Sequence, residues 1–153
     1  RCCSPTDSCH TFAVGSTVDP EDQRMIDATR EALAAGIEAA GTGSKTGDIS
    51  HAIGMVLTGA GYRVNTEFGG HGVGSTMHQD PHITNTGIRG RGYPLKSGLL
   101  LAIEPWVMAD TDKLRIDDDG WTLRSATGCR TAHTEHTIAL TDNGPEILTL
   151  PES

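Results

Sequence analysis

The sequence predicts an α+β domain with helices packed on one face of a mainly antiparallel sheet. Three observations carry this expectation. Helical periodicity is confined to two segments between Asp19 and Gly61. After Tyr62 the chain changes to short apolar runs separated by Gly, Pro and Asp. Nineteen glycines and only six aromatic residues among 153 favour turns and close backbone approaches over a helical bundle. Two helices followed by a strand series give an α+β layer.

Each element has its own signal. Thr11-Phe12-Ala13-Val14 reads as a short strand ending at Gly15. Asp19-Pro20-Glu21-Asp22 is a helix start, with Asp as N-cap, Pro at the first helical position and acids at the positive dipole end. That helix should run to about Ala40, with Ile26, Leu33 and Ile37 as its buried stripe, until Gly41-Thr42-Gly43-Ser44 breaks it. A second helix should start near Thr46. Ile49, Ala52, Ile53, Val56 and Leu57 fall on one face of it, and Gly59-Ala60-Gly61 stops it. Strands are expected around residues 62–65, 99–104, 121–124, 132–140 and 145–149. No repeat of solenoid period is present.

Composition narrows the function. A formal charge of -8 with no basic stripe disfavours nucleic-acid binding. No run approaches the roughly 20 apolar residues of a membrane helix, and no signal peptide is visible. Cys2, Cys3, Cys9 and Cys129 form no CxxC pair, so free thiols in a cytoplasmic protein are expected. There is no GxSxG elbow, Walker loop or HExxH helix, and the glycine-rich loop is not followed by a helix as a dinucleotide site requires.

Three motifs then stand out: Gly70-His71-Gly72-Val73-Gly74, Ile103-Glu104-Pro105 and Thr134-Glu135-His136-Thr137. His71, flanked by glycines, can approach an ion closely, although a loop histidine bonded to a carbonyl fits the same residues. Glu104 ends a buried run, Leu99 to Ile103, where a carboxylate must be paired, metal-bound or neutral. A salt bridge to Arg115 or Arg124 is the alternative. Strand alternation places His133, Glu135 and Thr137 on one face and Thr134, His136 and Ile138 on the other. His78 could hold substrate if His71 binds metal; by itself it reads as a surface histidine. Asp7 alone reads as a turn or cap aspartate.

Taken in order, these motifs resemble the type I methionine aminopeptidases. His78 and Pro81, Asp119-Gly120-Trp121-Thr122, Asp7-Ser8 before Thr11-Phe12, and Thr141-Asp142-Asn143-Gly144 add to the match. The gaps of 33 residues from His71 to Glu104 and 31 from Glu104 to Glu135 fit the type I pattern. The resemblance implies the pita-bread (creatinase/aminopeptidase-like) fold, with its curved sheet, and a site for two Co, Mn, Fe or Zn ions. It implies Asp7, His71, Glu104 and Glu135 as metal ligands, with His78 at the substrate peptide group and Glu104 assisting proton transfer. Met77 and Trp121 would line the pocket for the methionine side chain. The implied reaction is removal of the N-terminal methionine of nascent polypeptides by a metal-activated hydroxide, in the cytoplasm, by a monomer in transient contact with the ribosome.

Departures from the pattern shape the expectation for this chain. A further metal aspartate and a further histidine of the family fall before Arg1, and Arg1 to Thr6 do not resemble the family's strand. Gln79 and Asp80 stand where two glutamates are usual, and His133 stands near the usual Gln. Residues 1–153 are therefore expected to form a single, N-terminally incomplete catalytic domain that retains one ion and is weak or inactive alone. Two other readings remain: a non-catalytic pita-bread module that binds peptide or protein, and a prolidase- or aminopeptidase P-like dinuclear peptidase.

Overall fold

The computed structural model describes residues 5–150. In chain order these form β1 (Ser8–His10), α1 (Pro20–Ala39), α2 (Thr46–Gly59), β2 (Gly69–Val73), β3 (Gln79–Thr84), β4 (Leu100–Ile103), β5 (Trp106–Met108), β6 (Leu114–Ile116), β7 (Leu123–Ser125), β8 (Thr131–Thr141) and β9 (Gly144–Ile147). The α+β class expected from the sequence is the class observed. Cys2 and Cys3 lie outside the described residues; Cys9 and Cys129 are free thiols.

Both helices start where the sequence places them. The Asp19 carboxylate accepts the Glu21 N–H at 2.9 Å, and Pro20 opens α1. At α2 the Asp48 carboxylate reaches back to the Lys45 N–H at 2.7 Å. The helices pack on each other and on the sheet. Met25, Ile26 and Leu33 of α1 and Ile49, Ile53 and Leu57 of α2 meet Leu101, Ile103, Ile138 and Leu140 in one core. Ile49, Ile53 and Leu57 are fully buried, and each such side chain contributes roughly 1.5–3 kcal/mol.

The sheet is antiparallel, in the order β1-β8-β4-β2-β3, with β5 and β9 also paired to β8. β6 and β7 form a separate two-stranded hairpin. The eleven-residue β8 is the hub, bonded along one edge by β4 and β5 and along the other by β1 and β9. No helix among the described residues is long and apolar enough to cross a membrane.

Several strand expectations are corrected. The first strand lies at Ser8–His10, before residues 11–14. There the Thr11 hydroxyl donates to the His133 carbonyl at 2.7 Å and accepts the His133 N–H at 2.9 Å, which ends the ladder. Phe12 and Val14 are exposed. Residues 62–65 are not a strand: the Asn65 side chain accepts the N–H groups of Glu67 and Phe68 and donates to the Asp112 carbonyl, making a local turn instead.

The strands β2 and β3 carry no clear sequence signal, because one is mostly glycine and the other contains Pro81. The glycines are needed for close approach. A Cβ at Gly70 would meet the Ala102 carbonyl, and one at Gly72 would meet the Asp80 carbonyl. Gly72→Ala is therefore expected to destabilise the protein by about 2–3 kcal/mol, read as a lower urea midpoint at unchanged slope.

Candidate metal centre

Strand register brings the site residues together. Ile103 opposes His136 and Trp106 opposes His133, so Glu104, between them, falls opposite Glu135 on the same sheet face. On the other edge of β8, Cys9 opposes Glu135 and Ser8 opposes His136. One position earlier, Asp7 comes beside Thr137. Its N–H donates to Thr137 Oγ1, and the Thr137 hydroxyl donates to the Asp7 carbonyl, both at 2.8 Å. His71 in β2 opposes Ala102, two residues before Glu104, and so shares that face. The opposite face of β8 turns to the helices, where Thr134 Oγ1 meets Thr29 Oγ1 at 3.0 Å and Ile138 enters the core.

His71, Glu104 and Glu135 offer donor atoms that lie within 4.8 Å of one another. Asp7, His71 and His78 form a second such group, joined to the first through His71. His71 Nε2 is 3.7 Å from Glu104 Oε1, while His71 Nδ1 is 3.0 Å from the Gly72 carbonyl. With Nδ1 as the donor to that carbonyl, Nε2 is left free to bind an ion, the orientation typical of a ligating imidazole. The Glu104 carboxylate meets neither Arg115 nor Arg124, which pair with Asp117. Its other oxygen, Oε2, lies 3.4 Å from His133 Nε2.

Glu135 is 4 % exposed. Burial, then the neighbouring charges of Glu104 and Asp7, push its pKa up to about 8. Its Oε1 and the Nε2 of His133 are buried with no hydrogen-bond partner. Like charges directly opposed in a sheet are destabilising, and no Lys or Arg forms an ion pair with either glutamate among the described residues. Two carboxylates and an imidazole in this setting suit a hard or borderline divalent cation. The residues fit such an ion.

A cavity of about 560 Å³ opens beside this group. His71, His78, Glu104 and His133 supply polar wall, and Phe68, Trp106 and Leu123 supply apolar wall. The His78 ring sits 4.4 Å from that of His71, centroid to centroid. Met77 and Trp121 stand outside this lining: Met77 is 44 % exposed and Trp121 86 %. The Asp119 carboxylate accepts the N–H groups of Trp121 and Thr122, holding the turn so that the indole points to solvent. Phe68 and Trp106 carry no periodic signal in the sequence. Trp106, two residues after Glu104 across Pro105, could have been found from strand alternation alone.

Residues 3–142 match the model of metallopeptidase family M24, and the chain belongs to that family. Within it, the similarity is to methionine aminopeptidases. Methionine aminopeptidase 1 of Mycobacterium tuberculosis is 45 % identical over 150 residues, covering 94 % of this chain and 56 % of that protein. The methionine aminopeptidase of Thermotoga maritima superposes with a TM-score of 0.92 at 40 % identity, covering 97 % of this chain and 59 % of that one. The prolidase of Pyrococcus horikoshii shares the fold, with a TM-score of 0.75 at 22 % identity. The architecture is thus the pita-bread fold. The chain spans somewhat over half the length of the methionine aminopeptidases it matches.

Proposed function

We propose that this chain carries metal-dependent methionine aminopeptidase chemistry, the hydrolytic removal of an N-terminal methionine from peptides and nascent proteins. One observation carries the reading: a carboxylate pair, the half-buried Glu104 and the buried Glu135, faces His71 with no Lys or Arg among the described residues to neutralise it. Asp7, His71, Glu104 and Glu135 would hold one ion, of Co²⁺, Mn²⁺, Fe²⁺ or Zn²⁺. Such an ion supplies Lewis-acid polarisation of the scissile carbonyl and activation of water.

The remaining work belongs to side chains. Glu104 is the general base and acid, since it lies on the cavity wall within the donor group. His78, exposed to the cavity beside His71, contacts the substrate peptide group. Phe68, Trp106 and Leu123 receive the apolar methionine side chain. Residues 1–153 belong to one catalytic domain, monomeric and cytoplasmic as a whole, that meets its substrate as chains leave the ribosome.

A peptide panel tests this reading. Turnover by this chain supplied with Co²⁺ or Mn²⁺ is expected to be weak, and to release methionine from Met-Ala peptides in preference to the first residue of X-Pro peptides. Preference for X-Pro would place it with the prolidases. Failure to bind either ion would leave a peptide-binding module.

A further inference from the structure

We infer that His133 is a further metal-binding side chain of this centre, on the opposite side of Glu104 from His71. The inference rests on the proposed metal reading and extends its ligand set. Glu104 is flanked by two imidazoles, one at each oxygen: His71 Nε2 lies 3.7 Å from Oε1 and His133 Nε2 lies 3.4 Å from Oε2. His133 Nε2 is also 4.0 Å from Glu135 Oε2. Two donors bound to one ion at about 2.1 Å stand roughly 3.0–3.4 Å apart at octahedral to tetrahedral angles. His133 Nε2 is thus nearer to Glu104 than His71 Nε2 is, at a separation two donors of one ion can have.

The atom is also without another task. His133 Nε2 is buried and has no hydrogen-bond partner, although it points at two carboxylates. A buried polar atom of this kind needs a partner to be tolerated. Backbone and ring of His133 are each held in place. Thr11 accepts the His133 N–H and donates to its carbonyl, and Trp106 packs against the imidazole at 6.2 Å between ring centroids. A second imidazole in a carboxylate-rich set shifts preference towards the borderline ions Co²⁺ and Zn²⁺ and away from Mn²⁺.

The test is NMR of the Co²⁺-loaded protein, in which ring N–H protons of ligating histidines are strongly shifted by the paramagnetic ion. His133→Gln is expected to lose one such resonance and to bind Co²⁺ at least about tenfold more weakly, with a smaller loss for Mn²⁺. In ¹⁵N-histidine-labelled wild-type protein, Zn²⁺ is expected to move the His133 Nε2 resonance, a measurement that needs no substitution. The same shifted resonances and the same affinity in His133→Gln, or a His133 Nε2 signal indifferent to Zn²⁺, would overturn the inference and leave the metal reading standing. Absence of any shifted histidine resonance in the wild type would overturn both.

Discussion

Replacing Glu104 by alanine is expected to weaken Mn²⁺ or Co²⁺ binding at least about 100-fold, as measured by isothermal titration. Even groups that only support a ligand cost 10–100-fold when removed, and Glu104 stands inside the donor group itself. The same change should make the metal-free protein more resistant to unfolding at pH 8. Glu104 is the larger of the two neighbouring charges that act on Glu135, so its removal relieves the repulsion across the strand pair. Opposite signs for ion affinity and apo-protein stability identify Glu104 as a ligand. A loss of both would mark it as a structural side chain.

The second large effect is on pH. Glu135 has an ordinary pKa of 4.5 and is raised to about 8 by burial, then by Glu104 and Asp7. The folded state therefore binds a proton that the unfolded chain releases. The stability gained is fully present below about pH 4.5 and is lost as pH rises through about 8. At about 1.4 kcal/mol per pH unit, with discount for relaxation, the loss is on the order of 3 kcal/mol. For a chain of this size that is about 6–12 °C in Tm.

Thermal melts of metal-free protein between pH 5 and pH 8.5 should fall accordingly. Glu135→Gln, which mimics the neutral acid, should flatten the profile. Saturating Mn²⁺ should reverse the slope, because ion binding displaces the proton and stabilises only the folded state. A flat profile in the metal-free wild type would show that the three carboxylates are not as crowded as the geometry has them.

The helices were legible because their signals are local. Asp19-Pro20 and the Gly59-Ala60-Gly61 stop set the bounds of α1 and α2 almost to the residue. The β8 alternation was also legible, since Ile138-Ala139-Leu140 forces one face inward. The strands β2 and β3 were not. Their sequence is dictated by how near the neighbouring carbonyls come, and that contact is invisible until the strands are paired. His71, Glu104 and Glu135 stood out by residue type and context and Asp7 only through the family resemblance, and the structure gathers them around His71. The relation of Glu104 to Glu135 needed the register of β4 and β5 on β8. The position of His133 between them needed it as well.

The clasp between Asp7 and Thr137 joins residues 130 positions apart. Contacts within the α1–α2 pair close over far shorter loops, and short loops close first. The full donor set, Asp7 included, is therefore not assembled before the rest of the fold. Its atoms all converge only when Asp7 has found the strand near the other end of the chain. Ion binding is in this sense a global property of the polypeptide, and a bound ion reports that the whole circuit of the chain has been completed.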